Sequence, residues 1–81
     1  MRSLVLITWH DSRQPTSSWQ HLPMEEPSPV VVHTVGWLLH HDKDVTVIAS
    51  SIGDPETDDE QATSIMQIAT RSIVKTKVLK A

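Results

Sequence analysis

Apolar residues fall into five short runs separated by polar, often proline-bearing stretches. Ser3–Trp9 (SLVLITW) holds no breaker and is too short for an ordinary helix, so it predicts a buried strand. Val30–His41 (VVVHTVGWLLHH) opens on β-branched residues, which fit a pleated strand better than a helix. Its length implies a bent strand, and Gly36 inside it marks a bulge, a sharp bend or a close backbone approach. Asp42-Lys43-Asp44 reads as a tight turn into Val45–Ile52 (VTVIASSI), so the second and third strands form a hairpin. Ser64–Ala69 (SIMQIA) and Ile73–Leu79 (IVKTKVL) predict two more strands, with a short break at Thr70–Ser72.

Two stretches lack periodicity. Residues 10–29 contain Pro15, Pro23, Pro27 and Pro29 among serines and threonines and predict a long first loop, which Trp19, Leu22 and Met24 are expected to pin to the body. Residues 53–63 predict an acidic loop. One alternative competes: Thr57-Asp58-Asp59-Glu60 matches a capping box, and Ala62, Ile65, Met66, Ala69 and Ile73 fall at helical spacing, which fits an α+β fold with a helix over 58–73. The β propensity of Ile73–Leu79 favours strands. Five short strands, a long first loop, a tight second turn and a one-turn break before the last strand give the order of a small SH3-like or Sm-like barrel, all-β and a single domain over 1–81. Ser3–Trp9 does not resemble the N-terminal helix usual in Sm-like barrels.

With 81 residues, the core is thin and self-association is favoured. The absence of cysteine removes disulfides, thiolate zinc sites and Cys nucleophiles. The longest apolar run, Leu4–Ile7, is too short to cross a membrane or to serve as a signal-peptide core. A net charge of −3 disfavours a general electrostatic grip on nucleic acid. The charge is unevenly spread: residues 42–62 carry Lys43 against Asp42, Asp44, Asp54, Glu56, Asp58, Asp59 and Glu60, whereas residues 63–81 carry only Arg71, Lys75, Lys77 and Lys80. An acidic middle and a basic tail can pair within one fold or between subunits, or remain two solvated surfaces.

Three pieces carry a resemblance: Trp9-His10-Asp11-Ser12 with Trp19 downstream, Thr34-Val35-Gly36-Trp37-Leu38 running into Val47-Ile48-Ala49-Ser50-Ser51, and Met66-Gln67-Ile68 leading to Ile73. Together they resemble a group of short bacteriophage proteins with a small β fold and no agreed activity. Members of that group often carry proline after the isoleucine of the fourth strand, where this chain has Ala69. The resemblance implies phage origin and a cytoplasmic location in an infected bacterial host, but supplies no catalytic residues.

The chemistry-bearing residues point away from catalysis. The five histidines lack the HExxH and HxH spacings of metal sites, and adjacent His40 and His41 point to opposite faces of a strand; no metal or other cofactor is expected. Two glycines leave no room for a phosphate-cradling loop, and no GxSxG elbow is present. Binding is the expected role. Trp9 and Trp19 are the ligand-facing candidates, Arg13 and Arg71 could grip phosphates or a partner's carboxylates, and Gly36 and Trp37 belong to the core or a subunit interface. The resulting expectation is a non-enzymatic homo-oligomer that counteracts a host defence system by sequestering a nucleotide-type small molecule or a host protein. An SH3-like adaptor and an RNA-binding Sm-like ring are the alternatives.

Overall fold

The computed structural model describes residues 2–13 and 17–81. The chain forms β1 (Leu4–Asp11), β2 (Val30–His41), β3 (Val45–Gly53), β4 (Gln61–Ala69), a 3₁₀ turn η1 (Thr70–Ser72) and β5 (Ile73–Lys80). All five strands join one antiparallel sheet in the order β4-β3-β2-β1-β5. The expected all-β class therefore holds, and the third and fourth strands are longer than the sequence pattern suggested. Expected loop residues Gly53 and Gln61 pair with each other and close the β3–β4 ladder.

The helix over 58–73 does not form. Its capping signature is spent on a turn: the Thr57 hydroxyl donates to the Asp54 carbonyl at 2.8 Å and accepts the Asp59 N–H at 3.2 Å. Glu60 accepts the Glu56 N–H instead of closing a capping box. Beyond Glu60 the chain extends, because pairing with β3 satisfies the backbone groups that a helix would otherwise bond internally.

Residues directly opposite in an antiparallel ladder share a face. On one face, Val5, Ile7, Ile48 and Ile68 form the buried core, with Trp9, Leu38 and Ile73 packed against it. Gly36 lies opposite Val5 on this face. A Cβ there would stand 3.0 Å from the Ala49 carbonyl oxygen and 3.1 Å from the Ile48 side chain. Gly36 thus allows a close backbone approach, one of the three readings its sequence position permits. The register shift in β2 lies between Leu38 and His40.

The sheet is not closed into a barrel. η1 connects strands at opposite edges of the sheet, which draws the edges together at the Ala69–Ile73 end. Elsewhere they remain apart: β5 is exposed after its first residue, and Ile68 is the fully buried residue of β4. Closure would need an inward apolar row along both edge strands, and these strands do not supply one.

A polar latch holds the η1 end. Asp42 Oδ1 accepts the N–H groups of Asp44 and Val45 at 2.8 and 2.7 Å, fixing the β2–β3 turn. Thr70 donates its backbone N–H to the Asp44 carbonyl and its hydroxyl to the Asp42 carbonyl. The hydroxyl of buried Thr46 contacts both Thr70 Oγ1 and His41 Nδ1 at 2.9 Å. Because the Thr70 proton is committed to Asp42, Thr46 donates to Thr70, and His41 Nδ1 carries the proton given to Thr46. The β2 register shift makes this possible by turning His41 onto the face of Thr46.

Candidate binding site

Two surfaces stand out, and they lie at opposite ends of the sheet. β1 pairs Leu4 with Trp37 at one end and Asp11 with Val30 at the other, so an eight-residue strand of about 26 Å separates them.

The first surface is a groove of about 550 Å³ at the Leu4 end, lined by Arg2, Trp37, Ile52, Pro55, Glu56, Glu60 and Lys80. The β register aligns Ile65, Ala49, Trp37, Leu4 and Lys80 in one row across all five strands. Arg2 and Lys80 meet here because β1 and β5 are antiparallel neighbours. Arg2 Nη2 donates to Glu60 Oε1 at 2.8 Å, while Glu60 Oε2 accepts the Glu56 N–H at 2.9 Å. The Glu56 N–H first, and the Arg2 guanidinium second, hold the Glu60 carboxyl below its ordinary pKa. Lys80 makes no side-chain hydrogen bond or ion pair among the described residues, and neither does the half-buried Trp37 indole. The groove therefore offers an aromatic surface, an indole N–H and an ammonium group beside a neutralised Arg–Glu pair.

The second surface is the β1–β2 connection. Trp19, Leu22 and Met24 do not return to the body: they are 101%, 82% and 61% exposed. The segment instead projects as an arm. The radius of gyration is 16.6 Å and the longest dimension 57 Å, whereas a compact chain of this length has a radius near 12 Å. Arg13 ties the base of the arm, donating from Nε to the Ser28 carbonyl at 2.7 Å and from Nη2 to Ser28 Oγ at 3.3 Å. Pro15, expected in this loop, lies outside the described residues.

The other expected site residues separate. Trp9 is part of the core margin, its indole N–H donating to Thr34 Oγ1 at 2.9 Å, so it does not share a free surface with Trp19. Arg71 is exposed in η1 without a side-chain partner among the described residues. Trp37 lies opposite Leu4 and Ala49, on the face away from the core cluster, and belongs to the groove. The histidines are dispersed into local contacts: His33 with Thr8, His40 with Asp42, His41 with Thr46. The His40 hydrogen bond, followed by the Val45 and Asp44 N–H groups, lowers the Asp42 pKa to about 2. Among the described residues no group of three or more His, Asp or Glu side chains is placed to hold a metal ion, and no helix is long and apolar enough to cross a membrane.

Sequence reading missed Arg2, Ile52, Pro55, Glu60 and Lys80 as groove residues, because their proximity depends on strand register rather than local motif. It also missed the Thr46–Thr70 latch; its one signal was a threonine at the same strand parity as buried Ile48. No protein-family model, curated protein or solved structure matches the chain.

Proposed function

We propose that the chain is a non-enzymatic binding protein that holds a partner protein through its projecting arm. The observation that carries this reading is the exposure of Trp19, Leu22 and Met24 on a segment braced at its base by Arg13. Large apolar side chains held away from a protein's own core are typical anchors for a partner, and tryptophan is the most enriched of them. The resemblance to phage proteins supports a host component as that partner and sequestration as the mode of action, in the cytoplasm of an infected cell. The strand order and the 3₁₀ turn before β5 support an SH3-like or Sm-like origin for the fold.

A nucleotide-type ligand is the second reading, favoured by the groove. Trp37 provides a stacking surface, and Lys80 provides a cation free of protein partners among the described residues. The volume lies within the range of small-molecule sites.

The test is quantitative capture from host lysate with the wild-type chain and with Trp19→Ser, alongside native mass spectrometry of the purified protein. Trp19 touches no core residue, so Trp19→Ser is expected to change stability by less than about 0.5 kcal/mol. It is expected to lose a partner that the wild type retains stoichiometrically. Equal capture by both proteins refutes the arm as the binding element, and a co-purified small ligand lost on Trp37→Ala transfers the function to the groove.

A further inference from the structure

β4 and β5 each have a strand on one side only, so each presents an unpaired row of backbone donors and acceptors. The two edges are differently equipped. β4 (QATSIMQIA) has no charge and no proline over nine residues, and it exposes Ile65 and Met66. Its single irregularity is Ser64, with φ of 53°. β5 (IVKTKVLK) exposes Val74, Val78 and Leu79 and carries Lys75, Lys77 and Lys80. Edge lysines oppose pairing with a like strand, whereas β4 lacks that protection.

We propose that the two edges are partners between copies of this chain: β4 of one copy adds antiparallel to β5 of the next. Charge selects this pairing over its alternatives. A β5–β5 contact would set two lysine-bearing edges against each other. A β4–β4 contact would leave the lysines uncompensated. An antiparallel β4–β5 contact brings the start of β4, where the acidic 54–60 loop ends, to the Lys77–Lys80 end of the neighbour's β5. Asp54, Asp58 and Asp59 make no side-chain ion pair among the described residues, and neither do Lys75, Lys77 and Lys80. Lys80 also borders its own chain's groove, so a neighbour's acidic loop would cover one rim of that groove. The surfaces differ, so the contact is heterologous, and the assembly closes as a ring or extends as a filament. This goes beyond partner binding and does not depend on it.

The test uses the full chain and two charge-reversed variants, Asp58→Lys/Asp59→Lys and Lys77→Glu/Lys80→Glu, each checked for folding by circular dichroism. Sedimentation velocity at micromolar concentration is expected to show wild-type assemblies that weaken with added salt. Each variant alone is expected to associate at least about tenfold more weakly. An equimolar mixture is expected to recover assembly, since every interface then joins opposite charges again. A monomeric wild type overturns the proposal. So does unchanged assembly of Lys77→Glu/Lys80→Glu, or failure of the folded variants to complement. Should a variant not fold, carbodiimide cross-linking of mixed ¹⁴N- and ¹⁵N-labelled wild type decides. Mixed-isotope links from Asp58 or Asp59 to Lys77 or Lys80 support the contact, and their absence refutes it. Capture of a partner by Trp19 is read separately, so a failed assembly and a failed arm remain distinguishable.

Discussion

Thr70→Val tests whether the latch at η1 holds the two sheet edges together. The substitution keeps the side-chain shape and removes one hydroxyl. Thr46 is 2% exposed, and its hydroxyl proton has Thr70 Oγ1 as its acceptor. Without Thr70 Oγ1 the Thr46 proton turns to His41 Nδ1, which accepts once the exposed ring moves its own proton to Nε2. The variant therefore loses the Thr46–Thr70 and Thr70–Asp42 bonds, together about 2 kcal/mol at about 1 each. The Asp42 carbonyl belongs to an exposed residue and is resolvated, which keeps its share to the ordinary value of about 1 kcal/mol. Thr46→Val alone leaves Thr70 bonded to Asp42 and exposed His41 open to water, and is expected to cost about 1 kcal/mol. In a Thr46→Val background the Thr46–Thr70 bond is already gone, and only the Asp42 bond is left to lose. Thr70→Val should then cost about 1 kcal/mol rather than about 2, a coupling near 1 kcal/mol. Urea denaturation of the four proteins measures this directly: with a slope near 1 kcal/mol per molar, the coupling appears as a midpoint difference of about 1 M. Equal costs for Thr70→Val in the two backgrounds would refute the Thr46–Thr70 bond and the latch with it.

Two further outcomes follow from the same geometry. Gly36→Ala places a methyl 3.0 Å from a backbone carbonyl that cannot rotate away. Overpacking of this kind costs about 1–3 kcal/mol, partly offset by the ~0.5–1 kcal/mol that alanine recovers over glycine in a strand. The melting temperature is expected to fall by several degrees, and an unchanged value would show that β2 and β3 can separate freely. Asp42 has a folded pKa of about 2 against an ordinary value of 3.8, so its contribution to stability is present above the higher value and lost as pH falls between them. Asp42→Asn retains an acceptor for the Asp44 and Val45 N–H groups, and chemical denaturation should show it losing less stability than wild type across that interval. Parallel acid profiles would remove Asp42 as the source.

The strand pattern was legible because it rests on local physics. β-branched runs, a polar turn at Asp42–Asp44 and the break at Thr70–Ser72 each constrain the backbone within a few residues, and the structure follows them. Gly36 was legible for the same reason, since a glycine inside an apolar strand commonly stands where a side chain would not fit. The capping box at Thr57 was also a true local signal, but for one turn rather than a helix: β3 offers residues 61–69 a ladder that outcompetes further winding. Barrel closure and the fate of Trp19, Leu22 and Met24 depend on what the rest of the chain supplies. Apolar residues in a proline-rich loop return to a body only if it has uncovered core to receive them. The register shift between Leu38 and His40 carries no local mark, yet it decides which face His41 serves.

The arrangement of these surfaces bears on how a thin fold can bind firmly. The core centres on four side chains, Val5, Ile7, Ile48 and Ile68, with Trp9, Leu38 and Ile73 packed against it, whereas Trp19, Leu22 and Met24 lie outside it and exposed. The arm leaves the sheet at the Asp11–Val30 end, whereas the acidic loop, Lys80 and the groove lie at the Leu4 end. Copies joined through β4 and β5 therefore keep their arms clear of the charged part of the contact. A single arm presenting Trp19, Leu22 and Met24 offers a small footprint and a correspondingly weak hold. Several arms on one assembly engaging a multivalent partner can raise avidity by about 10²–10⁴ without any new contact. Charge-reversed variants that remain folded but monomeric should then retain the intrinsic affinity of one arm while losing retention on a surface dense in partner. Biosensor dissociation rates at low and high partner density measure that difference. Equal dissociation of monomer and assembly at high density would show that the arm works alone.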